Sequence, residues 1–180
     1  MLINVSRFNY VQQQVKEHVD ELLKLASDAA RSWAMTDWKK SSILNDLYRV
    51  WQLEYEDVVN PDIDWDLIRT KLLDAINSIQ TKLVNMKGVS IDYEKAPPEG
   101  LHLIAIGGLA LARGLTLEGL AISYALRNIG AADTLLQMGR WFGYRPGFEK
   151  LCRIHATQDL IDDFASISES VEELLSLIHI

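Results

Sequence analysis

The chain opens on residues 1–6 (MLINVS), an apolar run closing on a small polar residue, and this pattern reads as a buried strand. The period then lengthens. Val11, Val15, Val19, Leu22, Leu23, Ala26 and Ala30 recur at helical spacing and build one apolar face, which predicts a long helix. A second helix is expected over about 41–57. Asn60-Pro61-Asp62 is turn chemistry, and Asp64 is placed to cap a third helix that would bury Ile68, Leu72, Ala75, Ile76 and Ile79. From about Thr81 the period changes again. Residues 82–86 are a candidate strand and 92–100, with Pro97-Pro98, a loop. Residues 101–106 run apolar into Gly107-Gly108, as an interior parallel strand does. Residues 120–124 and 151–155 are further candidate strands, the second an interior one with Cys152 as an inert core residue. Asp133 can cap a helix through Phe142, and a closing helix is expected from Gln158 to about Leu175.

Strands alternating with helices predict an α/β domain with a mostly parallel sheet flanked by helices. The helices between the first two strands, about 35–78, read as an insertion. At 180 residues, 48% hydrophobic and 24% charged, the composition fits one soluble globular domain with a real core. No apolar run approaches the roughly 20 residues that span a bilayer, and no signal-peptide pattern opens the chain, so no membrane partner is expected. The single Cys152 can form no internal disulfide, which fits a cytoplasmic protein. Both ends suggest a truncated gene fragment. The chain starts directly on a core strand, and residues 175–180 (LSLIHI) match the translation of a common sequencing-adaptor sequence. A helix that simply continues fits their apolar character equally.

The net charge of −7 argues against a protein that coats nucleic acid generally, but its distribution is uneven. Residues 1–100 are net −4 and residues 156–180 net −6, whereas residues 101–155 are net +3, almost entirely through arginine. That basic segment carries the candidate chemistry. A strand ends at Gly107-Gly108, where the backbone allows close approach, and open α/β sheets hold ligands at that carboxyl edge. Arg113-Gly114 follows. Gln137 and Arg140, three residues apart, share a helix face distinct from that of Leu135, Met138 and Phe142, and Arg145 lies just beyond Gly143. Phosphoryl transfer builds charge on the transferred group, and a positioned guanidinium, whose planar fork holds two oxygens, stabilises it. For an isolated arginine the plainer reading is a pair with Asp133, Glu118 or a carbonyl.

The longer phrase goes further. IAIGG, LARGLTLEGL, SYALRN, DTLLQMGRWFGYRPGFE and LCRI resemble the fifth and sixth motifs of superfamily two helicases. More closely, they resemble the Z-one domain, a bacterial family described as endonuclease-like and associated with helicase-type ATPases. The strong resemblance covers about 101–165, and a weaker one covers residues 1–13, where Ser6-Arg7 resembles the fourth helicase motif. The resemblance implies a RecA-like, P-loop NTPase-type lobe over 1–174, the C-terminal one of two, with its motif-bearing core at 101–165. Arg140 would face the γ-phosphate of ATP as an arginine finger, with Arg145 matching the motif's final arginine and Gln137 its leading glutamine. Gly108, Arg113, Gly114 and Thr116 would contact or couple to the nucleotide, and Ser6 and Arg7 would contact nucleic acid, most naturally DNA. Two departures stand out. Thr116 replaces the usual aspartate that contacts the ribose, and Arg140 precedes Arg145 by five positions rather than three.

No G-x-x-x-x-G-K-[ST] occurs, so ATP and magnesium would be held mainly by an N-terminal RecA-like lobe outside this chain, and the fragment alone should be inactive. Asp20-Glu21 falls within a helix rather than at a strand end and reads as a solvated face. Pro61-Asp62 and Asp37-Trp38-Lys39 do not fall in the order or at the strand ends that a restriction-type nuclease needs. His18, His102, His155 and His179 have no metal-ligand spacing. Trp33, Trp38, Trp51 and Trp65 beside Lys39-Lys40 could stack on bases, though packing of the inserted helices against the sheet is the simpler expectation. The expected function is thus an ATP-dependent nucleic-acid motor's C-terminal lobe. The alternative is a catalytically inactive nucleic-acid-binding or protein-interaction module of the same fold.

Overall fold

In a computed structural model, which describes residues 1–84, 100–108, 119–126 and 147–178, the opening apolar run forms β1 (Leu2–Asn4), buried at all three positions. It lies in the middle of a five-stranded sheet. The order is β2 (Gln80–Val84), β3 (Leu103–Gly107), β1, β4 (Ile122–Ala125) and β5 (Arg153–Ala156), and every pairing is parallel. The central place follows from composition. A strand covered on both faces and paired on both edges needs an unbroken apolar run, and Leu2-Ile3 supplies it.

Three helices link β1 to β2: α1 (Asn9–Trp33), α2 (Ser42–Glu54) and α3 (Trp65–Ser78); α4 (Gln158–Ile178) closes the chain. The caps are local. Ser41 Oγ accepts a hydrogen bond from the Leu44 amide at 3.4 Å, and Asp64 Oδ1 accepts one from the Leu67 amide at 2.8 Å. Each such cap contributes about 1 kcal/mol by satisfying an orphan amide of the first turn. Residues 85–99, the candidate helix from Asp133 to Phe142 and most of the basic segment lie outside the described residues.

Alternation along the strands divides the core into two layers. Leu2, Val84, Ala105, Leu120 and Ala125 pack with Leu160, Phe164 and Ile167 of α4. Ile3, Ile104 and Ile106 point the other way, against Val15, Val19 and Leu23 of α1. The sheet is thus covered by α1 on one face and α4 on the other. At about 1.5 Å per residue α1 is roughly 37 Å long, far longer than the strands beneath it. Its far end, with Ala26, Ala30 and Ala34 buried, meets α2 and α3 through Leu44, Leu47, Leu72, Leu73 and Ile76. Ser27 Oγ donates to Asn77 Oδ1 at 2.7 Å across that contact, and Arg69 Nη1 donates to the Ala34 carbonyl at 2.6 Å.

Several expectations shift. The strand expected at 82–86 runs two residues earlier, and α2 stops at Glu54 rather than near Asp57. Ala75 is exposed, and Ile68, Leu72, Ile76 and Ile79 are half-buried rather than buried. The strand around Cys152 is not interior among the described strands: β5 pairs with β4 alone and lies at the sheet's edge, Ile154 is 58% exposed, and Cys152 sits half-buried just before the strand. A short 3-10 turn at Glu149–Leu151 takes the residues expected to start it. Of the four tryptophans expected to pack the helices on the sheet, Trp33 is exposed and the other three form a cluster of their own. Trp38, Tyr48, Trp51 and Trp65 pack on one another, with ring centroids 5.0 to 6.2 Å apart, and so join the helices to each other. The end of α2 reaches β5 instead through charge. Arg153 Nε donates to Glu54 at 2.7 Å, and its guanidinium lies 4.8 Å over the Tyr55 ring, whose phenol burial pushes upward.

Asp20 is also more than a solvated carboxylate. It accepts from Lys16 Nζ at 2.6 Å and from Thr81 Oγ1 at 2.5 Å, tying α1 to β2. The hydrogen bond from Lys16, then that from Thr81, hold its carboxyl below the usual range. A depressed folded-state pKa gives stability that is fully present above the ordinary value of about 3.9 and is lost as pH falls through the lower folded value. Wild type should therefore unfold at higher urea than Asp20→Asn at pH 7, with the two midpoints converging as the pH is lowered through the range in which the Asp20 carboxyl takes up its proton. A gap that persists unchanged in acid would rule out this linkage.

Candidate functional site

The strand order places a topological switch at β1. The chain leaves β1 for β2 and β3 on one side, then crosses to β4 and β5 on the other, and the carboxyl edge at such a switch is where open parallel sheets hold ligands. Register brings the ends together: Asn4 stands beside Gly107 of β3 and Ala125 of β4. The Val5 amide donates to the Gly107 carbonyl at 3.2 Å, and the Leu126 amide to the Asn4 carbonyl at 3.0 Å.

Immediately beyond, the two chain segments touch. A Cβ built on Gly108 would lie 2.3 Å from the Ser6 carbonyl oxygen, 3.0 Å from its carbon and 3.1 Å from Gln12 Nε2. Glycine is required there by space rather than by its backbone angles. Gln12 is buried and donates to the same Ser6 carbonyl at 2.7 Å, so α1 fixes the loop that leaves β1. The Ser6 hydroxyl accepts from the Phe8 amide at 3.2 Å. Arg7 is exposed, its guanidinium 4.9 Å over the Phe8 ring.

Beneath this edge, two polar side chains are buried on the α4 side of the sheet. Asn4 is 2% exposed and Ser123 1%, and neither Asn4 Oδ1 nor Ser123 Oγ has a hydrogen-bond partner among the described residues. An unsatisfied buried polar group costs on the order of 1–3 kcal/mol; these two lie together at the strand ends, and Trp51 Nε1, Trp65 Nε1 and Arg69 Nε are in the same state in the helical layer.

Of the residues expected from sequence, Ser6, Arg7 and Gly108 gather at this edge. Arg113, Gly114, Thr116, Gln137, Arg140 and Arg145 lie outside the described residues. Sequence reasoning missed Asn4 and Gln12. Asn4 carried a signal, being the lone amide in the otherwise apolar run MLINV; Gln12, one of three successive glutamines, carried none.

The opposite, amino edge offers a different cavity of about 470 Å³, lined by Lys71, Asp74, Ser78 and His102 among others. Ser78 Oγ lies 2.5 Å from His102 Nδ1 and donates to the Ala75 carbonyl at 2.7 Å. Among the described residues no three His, Cys, Asp or Glu side chains cluster as a metal site, and no helix is long and apolar enough to cross a membrane.

No curated protein and no solved structure matches the chain. The Z1 domain family matches it over residues 1–179, nearly its whole length. An α/β chain with an all-parallel sheet and this end-to-end match belongs to the Z1 domain family.

Proposed function

We propose that this chain is the C-terminal, helicase-like lobe of an ATP-dependent nucleic-acid-processing enzyme, and that Arg140 and Arg145 complete an ATP site whose phosphate grip lies on another lobe. The observation that carries the reading is the contact of Ser6 with Gly108. The segment resembling the fourth helicase motif and the strand that leads into the fifth meet at one carboxyl edge, beside the switch point.

In this reading the sheet is a RecA-like lobe, α2 and α3 are its helical insertion, and the partner is DNA in the cytoplasm. Gly108, Arg113, Gly114, Thr116 and Gln137 border the nucleotide. Magnesium is held with ATP by the other lobe, because this chain has no P-loop lysine. Its own residues supply positive charge to the transferred phosphoryl group and exclude water around it.

The test is the nucleic-acid-stimulated ATPase of the intact protein. Arg140→Ala should lower it at least about tenfold, arginine fingers being worth a thousandfold or more in well-studied cases, and Arg145→Ala should lower it less. If neither substitution lowers it tenfold, the arginine-finger assignment fails. If the intact protein carries no P-loop lysine and hydrolyses no ATP, the catalytically inactive binding module is the better reading.

A further inference from the structure

The two residues that flank the start of α1 are not used by the core. Phe8 is 49% and Tyr10 67% exposed, with ring centroids 6.0 Å apart and planes 33° from parallel. The sheet-facing side of α1 is Val15, Val19 and Leu23, so neither ring contributes to that packing. Arg7 covers one face of Phe8 with its guanidinium, 4.9 Å from the ring centroid, and leaves the other face of that ring uncovered by it.

The surroundings favour an anion. Residues 1–15 contain Arg7 and no Asp or Glu, in a chain of net charge −7. The first turn of α1 carries no acidic side chain; the Ser6 hydroxyl takes the Phe8 amide and the Phe8 carbonyl those of Val11 and Gln12, which leaves the Asn9 and Tyr10 amides uncapped by any side chain. Aromatic faces interleaved with a cation and uncapped amides suit a ligand that carries flat rings and phosphates in alternation. An aliphatic protein surface would leave the charge and the amides without partners.

We propose that Phe8 and Tyr10 are a stacking platform for the bases of single-stranded nucleic acid, with Arg7 on a neighbouring phosphate. The platform rests on the reading above that the chain acts on nucleic acid, and it names the strand state and the residues that grip it. Because every base has a π-face, the grip is tolerant of sequence. Its place just beyond β1 sets the strand against the same edge where Ser6 meets Gly108.

Fluorescence anisotropy of the full chain with labelled oligothymidylate, with oligouridylate and with a blunt duplex tests this. Single strands should bind more tightly than duplex. Phe8→Ala and Tyr10→Ala should each weaken oligothymidylate binding about tenfold without changing its salt dependence, because stacking carries no counterion release. Arg7→Ala should make the slope of log affinity against log salt shallower by about 0.7. Phe8→Leu, which keeps the apolar bulk, should lose as much as alanine, and Tyr10→Phe should bind like wild type. If Phe8→Leu binds like wild type, or if a folded Phe8→Ala/Tyr10→Ala variant binds within about twofold, the platform is overturned and the nucleic-acid reading stands. A wild-type chain that prefers duplex also overturns the platform alone. One that binds none of the three overturns both.

Discussion

Replacing Gly108 with alanine is expected to lower the thermal midpoint of the chain by about 6 °C. The added Cβ would lie 2.3 Å from the Ser6 carbonyl oxygen and 3.0 Å from its carbon, distances that real Cβ atoms essentially never show. These are backbone atoms, so no rotamer change relieves the clash. Either the loop after β1 or the end of β3 must move, and the Val5 amide's bond to Gly107 and the Gln12 bond to Ser6 are strained together. Overpacking a rigid site costs about 1–3 kcal/mol and at times more, and at this length each kcal/mol moves the midpoint by about 2–4 °C. Gly100→Ala makes the contrast. Its φ of 93° disfavours a side chain, but a Cβ there meets nothing within 4 Å. That substitution should cost only about 1–2 kcal/mol of backbone strain. A Gly108→Ala midpoint within a degree or so of wild type would mean that the two segments are not in contact.

Ile106→Ala should destabilise the chain by about 3 kcal/mol, within the 2–5 kcal/mol usual for deleting a buried aliphatic side chain. Ile106 is fully buried on β3 and belongs to the layer that holds α1 on the sheet through Val15, Val19 and Leu23. Removing three carbons there takes away transfer energy and leaves a cavity that α1, anchored further along by α3, cannot close by sliding. Ile154→Ala removes the same atoms from the edge strand, where the side chain is 58% exposed, and should cost less than about 0.5 kcal/mol. Urea unfolding of both variants reads the difference, and equal losses would contradict the assignment of β5 to the edge.

Those two isoleucines also show what could be read from the sequence. Each sits in a short apolar run, IAIG in one case and LCRIHA in the other, and each run predicts an interior strand. Local pattern reports that a segment can be buried. It does not report how many neighbours the segment will find, and β5 finds only β4 among the described strands. Helix starts were legible because a cap is a local device: Ser41 and Asp64 both stand where turn chemistry meets helical spacing. The destination of the tryptophans was not, because it depends on how far α1 overhangs the sheet, a length set by the whole helix. The site divides likewise. Gly107-Gly108 and Ser6 were each visible, but their contact joins residues about a hundred positions apart and follows only from the central place of β1. Asn4 is legible only in retrospect, as the polar end of a strand that must be buried.

The length of α1 has a mechanical consequence. One end is pinned at the carboxyl edge through Gln12 and the Ser6 carbonyl, and the other is gripped by α3 and capped by Arg69. The helix is therefore a tie held at both ends and, through Asp20 and Thr81, near its middle, so a shift of its start at the carboxyl edge is passed along its length toward the aromatic cluster rather than absorbed locally.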